Sequence, residues 1–253
     1  MSYGSTGYPN PPPAYDEEAA QPFLGSGDDD MLKETIANSS REVRLQFVRK
    51  VYSILAIQLL TTSALSATYM FNQTAKHWVQ TNVWMFYITF FMTIGTLFAL
   101  FWKGRSFPTN YILLSLFTLA EGHLVGTIVT FYQQKLVLQA LLITLGVFIG
   151  LTLFTLQSKW DFSGLAPFLF AGVWILLIAG IVQIFFPFSK TIQLAIAVGA
   201  VVVFSGYILF DTYLIFNKYS AEDYIVASVS LYLDVINLFL RILEVLELSS
   251  RSD

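Results

Sequence analysis

Long runs of apolar residues alternate with short polar connections from residue 51 to residue 247. Each run is close to the ~20 residues that a helix needs to cross the hydrocarbon core of a bilayer. Seven membrane-spanning segments are therefore predicted, at residues 51–71, 83–102, 109–131, 136–156, 165–186, 191–216 and 222–247. We number them segments 1 to 7. Because the connections are short, we expect consecutive segments to pack antiparallel, giving an all-α polytopic membrane protein.

The two ends of the chain differ from this membrane domain at residues 51–247. Residues 1–40 are rich in Pro, Gly, Ser, Asp and Glu, which is typical of a disordered tail. In this tail Pro12, Pro13 and Tyr15 form a PPxY pattern, the ligand of WW domains, so a WW-domain ubiquitin ligase is an expected partner. A solubilising tail is the alternative. Residues 41–50 predict a basic amphipathic lead-in to the membrane, and residues 248–253 a short tail.

The composition excludes several classes of protein. Hydrophobic residues make up 55% of the chain and charged residues 12%, whereas a soluble domain is about one quarter charged. The absence of cysteine excludes disulfides, thiol chemistry and cysteine-ligated metals. Two histidines, His77 and His123, do not support a zinc hydrolase, and segment 7 has no lysine for a retinal Schiff base. We expect a protein that is not an enzyme and has no cofactor.

The distribution of basic residues predicts the orientation in the membrane. With a cytosolic N-terminus, nine of the 14 Lys and Arg residues flank the cytosolic side and four the opposite side, with Arg241 inside segment 7. Cytosolic flanks carry the excess of Lys and Arg in membrane proteins. The N-terminus is therefore expected in the cytosol.

Two apolar segments near the C-terminus each contain an aspartate. Asp211 lies in segment 6 and Asp234 in segment 7. A carboxylate near the centre of a bilayer costs ~2.5–3.5 kcal/mol on insertion scales, so such residues are usually functional. Because segments 6 and 7 are consecutive, the two aspartates suggest one site. Asp234 lies some six residues, or ~9 Å, deeper than Asp211, so contact requires segment 7 to begin outside the hydrocarbon or to tilt.

Segment 7 carries a stripe of polar side chains. Asp234, Asn237, Arg241 and Glu244 follow at steps of three, four and three, with Ser230 one turn earlier. A helix cannot present such a stripe to lipid, so segment 7 is predicted to be the central helix with the other six wrapped around it. The alternative role for these charges is mutual neutralisation that fixes helix packing, for example Arg241 with Asp234 or Glu244.

Two adjacent carboxyl groups in a low-dielectric site would share one proton. Protonated, the pair is a hydrogen-bonded clasp; deprotonated, it repels itself and offers oxygen ligands to a hard cation such as calcium. This chemistry predicts a pH-regulated cation leak. Glu222 and Asp223 precede segment 7, either as capping residues or as an acidic vestibule that concentrates cations. Glu121 is the acidic residue of segment 3.

Several motifs resemble one known family. FVRKVYSILAIQLL (47–60), FTLAEG (117–122), TLQSKWDFS (155–163), FDT (210–212) and SLYLDVINLFLRIL (230–243) closely resemble the transmembrane BAX inhibitor motif, or lifeguard, family. Within this family the chain looks most like the Golgi anti-apoptotic protein branch, and the PPxY-bearing tail resembles fungal members. The resemblance covers roughly residues 44–247.

This resemblance implies seven helices in two three-helix layers around the C-terminal one. It also implies a pH-sensitive calcium leak from intracellular stores, suppression of stress-induced cell death, and a location in the endoplasmic reticulum, Golgi or vacuole. The family's paired aspartates, with calcium bound transiently, match Asp211 and Asp234, and its other acidic positions match Glu222 and Glu121. Bacterial relatives latch the segment 6 aspartate with an arginine of the second helix, but residues 83–102 contain no basic residue. Arg241 is a candidate substitute.

Two other readings stay open. One is a membrane interaction protein that restrains apoptosis or stress signalling through partners, with the aspartates serving only the fold. The other is an intramembrane aspartyl protease. The protease is disfavoured because the second aspartate lies in LYLD rather than GxGD, and no Pro-Ala-Leu motif follows.

Overall fold

A computed structural model describes residues 39–250 of the chain. Within this range the chain forms α-helices, one 3₁₀ helix at Phe162–Leu165, and no β-strand. The α-helices are α1 Arg41–Phe71, α2 Gln73–Thr81, α3 Val83–Lys103, α4 Thr109–Val129, α5 Gln134–Gln157, α6 Ala166–Phe185, α7 Lys190–Asn217 and α8 Tyr224–Ser250. All except α2 are long and apolar enough to span a membrane, which confirms the predicted fold class.

The first spanning helix is longer than predicted. Helix α1 begins at Arg41, directly after Ser40, whose hydroxyl oxygen accepts a hydrogen bond from the Val43 N–H. No Gly or Pro interrupts its 31 residues, so the basic residues 41–50 are its first turns and not a separate element. At 1.5 Å per residue α1 is about 46 Å long, which exceeds the ~30 Å hydrocarbon core.

The short helix α2 was not predicted. Its nine residues are too polar and too few to form a spanning segment. The Asn72 side chain caps its start by accepting hydrogen bonds from the N–H groups of Thr74 and Ala75. Near its end, the Gln80 side chain donates to the backbone oxygen of Thr130, which joins α2 to the end of α4.

Helix α8 is the centre of the bundle. It packs against α1, α3, α4, α5 and α7, and its apolar stretch is 67% buried. Helix α6 has the opposite character: it packs chiefly on α7 and the 3₁₀ helix, and its apolar stretch is 6% buried. The predicted central helix is therefore confirmed, with α6 placed in an outer position. Helix α8 continues to Ser250, three residues beyond the predicted end.

Two glycines allow α4 to approach α1 closely. A Cβ atom on Gly126 would lie 2.8 Å from Cδ2 of Tyr69 and 3.5 Å from the Cα atom of Ser66. A Cβ atom on Gly122 would lie 2.8 Å from Cδ1 of Leu65. Small residues at this four-residue spacing are typical of close helix pairs in membranes.

We expect Gly126→Val to destabilise the bundle, because the added carbons meet the Tyr69 ring. Overpacking of this kind costs about 1–3 kcal/mol, so the melting temperature of the purified protein in detergent should fall. Gly146→Val is the matched control, since Gly146 lies in α5 and has nothing within 4 Å of the added Cβ atom. Equal melting temperatures for the two variants would contradict the close α1–α4 packing.

Candidate functional site

The structure brings Asp211 and Asp234 together. Asp211 lies on α7 and Asp234 on α8, and each is only 7% exposed. Their carboxyl groups are within hydrogen-bonding reach of each other. Helices α7 and α8 also make the most extensive helix–helix contact in residues 39–250. The two residues therefore form one buried site, which we call the aspartate pair.

The two aspartates lie at the same depth in the bundle because the start of α8 extends beyond the end of α7 along the helix axes. Asp211 lies six residues before the end of α7 at Asn217, and Asp234 lies ten residues after the start of α8 at Tyr224. At 1.5 Å per residue, these distances are about 9 Å and about 15 Å along the two helices. The first turn of α8 thus projects beyond α7, one of the two arrangements that the sequence required for contact.

No salt bridge neutralises the aspartate pair within residues 39–250. The Oδ2 atom of Asp234 is buried and has no hydrogen-bond partner there. Two tyrosines, Tyr207 and Tyr219, interact electrostatically with both carboxyl groups. A hydrogen bond between two carboxyl groups requires one of them to carry a proton. The geometry thus suits a pair that shares one proton.

The remaining polar stripe of α8 makes local bonds. The Asn237 side chain donates to the backbone oxygen of Leu233 at 2.8 Å. Arg241 pairs with Glu244 at 2.8 Å, one turn further along the same helix. The suggested role of Arg241 as a latch for Asp211 is therefore wrong in this structure, because Arg241 forms its salt bridge with Glu244 and none with Asp211. Glu244 and Glu247 line a cavity of about 280 Å³ at this end of α8.

Glu121 lies in a second polar cluster. It interacts electrostatically with Tyr232, which is fully buried on α8. The Tyr232 hydroxyl is 2.7 Å from Oγ1 of Thr62 on α1, and the Gln58 side chain of α1 donates to Thr118 of α4 at 3.1 Å. Tyr232 and Asp234 are two residues apart, so they point to opposite faces of α8. Glu121 therefore adjoins the α1–α4 face and not the aspartate pair.

The acidic residues before α8 have separate environments. Asp223 forms a salt bridge with Arg105 at 2.7 Å and accepts a hydrogen bond from the Ser220 N–H at 3.1 Å. The hydrogen bond and charge of Asp223 raise the pKa of the Arg105 guanidinium. Glu222 is exposed. Asp223 thus closes the turn before α8 and pairs with Arg105, which reduces the charge available for an acidic vestibule.

Two residues of this region were missed by the sequence reasoning. Arg105 entered only as a flanking positive charge, although it connects the α3–α4 loop to the start of α8. Tyr219 lies between α7 and α8 and packs against the buried apolar core. Burial raises the pKa of Tyr219, and the nearby Asp211 adds to the rise. The available signal was a lone aromatic residue in the polar stretch NKYSAED.

The aspartate pair supplies only part of the set of oxygen ligands that a calcium ion requires. Calcium takes six to eight oxygen ligands, and two carboxylates supply at most four. No group of three or more acidic, His or Cys side chains forms a metal site in the part of the chain that the structure describes. Transient binding of a hydrated ion fits this donor set. The PPxY residues Pro12, Pro13 and Tyr15 lie outside the described residues.

Comparison with known proteins identifies the family. Residues 44–251 match the family model described as inhibitor of apoptosis-promoting Bax1. "Bax inhibitor 1" of Schizosaccharomyces pombe is 42% identical over 96% of this chain and 91% of its own length. "Protein lifeguard 4" of Mus musculus is 40% identical over 92% and 97%. The "Golgi anti-apoptotic protein" of Vaccinia virus (strain Lister) is 39% identical over 88% and 94%. The chain therefore belongs to the Bax inhibitor, or lifeguard, family of membrane proteins.

Proposed function

We propose that the protein is a pH-sensitive calcium leak channel of an intracellular membrane, in which Asp211 and Asp234 form the proton-sensitive site. The observation that supports this proposal is the contact of two buried carboxyl groups with no ion-pair partner in residues 39–250. Carboxylates buried only for packing are normally paired with a cation, because an unpaired charge in a low dielectric is costly.

The pair has two states of different charge. With one shared proton, the carboxyl groups hydrogen bond to each other and hold α7 against α8. Without that proton, two negative charges repel each other at close range, and the repulsion is strong because water is largely excluded. A divalent cation relieves the repulsion by accepting oxygen ligands from both side chains. Loss of the proton therefore favours both helix separation and calcium entry.

A route to the pair runs along the polar stripe of α8. At one end Glu244 lines the cavity of about 280 Å³, and Arg241 is paired with it. Asn237 lies between this ion pair and Asp234. Carboxylate and amide oxygens along the stripe suit the passage of a hard cation, whereas the rest of α8 is largely Leu, Ile, Val and Phe.

The relatives support a role in cell survival. One carries the name "Bax inhibitor 1" and another "Golgi anti-apoptotic protein". We propose that this chain likewise suppresses stress-induced cell death, from an endomembrane and with its N-terminus in the cytosol. A non-transporting protein that restrains apoptosis through partners is the competing function, supported by the same names.

Purified protein in liposomes should carry a calcium flux that rises as the pH is raised. The sign follows from the charge of the pair: protons favour the hydrogen-bonded clasp, and their removal favours repulsion between the helices. Uptake of calcium into vesicles that contain a calcium-sensitive dye measures the flux across a pH series. A flux that is unchanged across the series would contradict the proton-sensitive site. Absence of flux, with suppression of cell death retained in cells, would favour the interaction protein.

Asp211→Asn and Asp234→Asn should each reduce the flux and remove its pH dependence. The asparagine amide donates a hydrogen bond to the remaining carboxylate and so imitates the protonated clasp at every pH. A hydrogen bond to a charged group contributes about 1.5–3 kcal/mol, which predicts a roughly tenfold or greater fall in flux. The melting temperature of each variant checks that it is folded.

Asp161→Asn is the matched control for these two variants. Asp161 lies in the exposed α5–α6 connection, where its side chain accepts a hydrogen bond from the Ser163 N–H at 2.9 Å. Asparagine keeps this acceptor, so flux and its pH dependence should equal those of the parent. Parent-like flux in the Asp211 and Asp234 variants would show that the pair is not the site.

A further inference from the structure

We propose that a cavity between α1 and α4 binds a membrane sterol, whose hydroxyl group donates a hydrogen bond to the Gln58 side chain. The cavity has a volume of about 330 Å³. Its walls come from residues 54–61 of α1 and residues 111–119 of α4. This site is separate from the aspartate pair, which lies between α7 and α8.

The cavity faces the lipid. Two of its apolar side chains, Ile57 and Leu119, are 64% and 51% exposed, and both α1 and α4 are spanning helices. Ser115, also on its wall, lies six residues after the start of α4, which is about 9 Å along the helix. The cavity therefore opens towards the acyl chains of the bilayer, and its occupant must be soluble in lipid.

The polar side chains on the cavity wall offer more acceptors than donors. The hydroxyl groups of Thr61, Ser115 and Thr118 each donate at 2.8 Å to a backbone oxygen of their own helix, four residues earlier. A hydroxyl group has a single hydrogen, so these three groups keep only acceptor positions. The Gln58 amide nitrogen donates to Thr118 at 3.1 Å, which fixes the amide against α4. This wall suits a ligand that donates a hydrogen bond.

The observation that points to a ligand is the amide oxygen of Gln58. Gln58 is only 2% exposed, and its Oε1 atom has no hydrogen-bond partner within residues 39–250. Buried side-chain oxygens normally accept a hydrogen bond, because an unpaired one has lost its water and gained nothing in return. An acyl chain in the cavity would leave this oxygen unpaired. A hydroxyl group that enters with an apolar body would satisfy it.

A sterol is the lipid that matches these walls. It has one hydroxyl group on an apolar body of fused rings, and it has no headgroup that holds it at the membrane surface. A phospholipid presents only acyl chains at this depth, so it has no donor there. Rigid rings also lose less conformational entropy on binding than a flexible chain does. The side chains of Ile54 and Leu114 provide apolar wall for the rings.

Photo-crosslinking in lipid nanodiscs tests the site. The probe is a cholesterol analogue that keeps its hydroxyl group and carries a diazirine on the ring system, and mass spectrometry locates the labelled peptides. We expect labels in residues 54–61 and 111–119, and excess cholesterol should suppress them. Cholestenone, which has a ketone in place of the hydroxyl group, should compete roughly three- to tenfold less well, because it cannot donate to Gln58.

Gln58→Leu should lower the labelling roughly three- to tenfold, because it removes the acceptor and keeps an apolar side chain of similar size. Gln139→Leu is the matched control: it makes the same substitution at an exposed position of α5 and should label like the parent. The melting temperatures of both variants check that they are folded.

A second pair of variants tests occupancy of the cavity without changing the amide. Leu119→Trp places a larger side chain on the cavity wall and should lower the labelling by a similar factor. Leu116→Trp is its control, because Leu116 is exposed on the same helix and does not line the cavity. Equal labelling of these two variants would contradict binding in the cavity.

The remaining outcomes are equally distinct. Equal competition by cholestenone would overturn the role of the hydroxyl group, and equal competition by cetyl alcohol would overturn the choice of a sterol. Labels that lie outside residues 54–61 and 111–119 would overturn the site. Crosslinking requires no ion flux, so the result does not depend on the proposed channel. Asp234→Asn should accordingly leave the labelling unchanged.

Discussion

Two carboxyl groups in contact inside a membrane protein constrain how the two helices that carry them can pack. A charge in this setting must find a counter-ion, share a proton or bind a cation, because lipid and packed side chains do not solvate it. Asp211 and Asp234 have no salt bridge in residues 39–250, so sharing a proton or binding a cation are the arrangements open to them. In the proposed channel, the packing of α7 against α8 depends on the protonation of one site, which would make this helix pair the adjustable part of the bundle.

Helix α8 separates this adjustable face from a fixed one. Towards α7 it presents Asp234. Towards α1 and α4 it presents Tyr232, whose hydroxyl is bonded to Thr62 at 2.7 Å in a cluster that also contains Glu121. The hydrogen bond between Tyr232 and Thr62 joins α8 to α1, and the glycines of α4 allow α1 to pack closely on this side. A movement of α7 can therefore occur while α1, α4 and α8 remain together.

At each end of the polar stripe, the charged side chains form a salt bridge with a neighbouring side chain. Arg241 pairs with Glu244 one turn away, and Arg105 pairs with Asp223 at the opposite end. Both pairs are partly exposed, so each contributes little to stability and is easily exchanged for water or ions. Strong restraints lie in the bundle and weak ones lie at its ends, which is the distribution expected of a path that opens without unfolding.

The sequence by itself determined the number of spanning helices, their approximate ends and the polar face of α8. In lipid, an apolar run of about 20 residues is stable as a spanning helix, because its backbone groups must bond to one another. A helical stripe of charges cannot face lipid. The sequence pattern did not predict α2, because nine largely polar residues are too few to span the membrane. Only the tertiary structure decided the contact of Asp211 with Asp234, the partner of Arg241, and the pairing of Arg105 with Asp223 across 118 positions. These depend on helix offset and on loop geometry, which a one-dimensional pattern of residues does not contain.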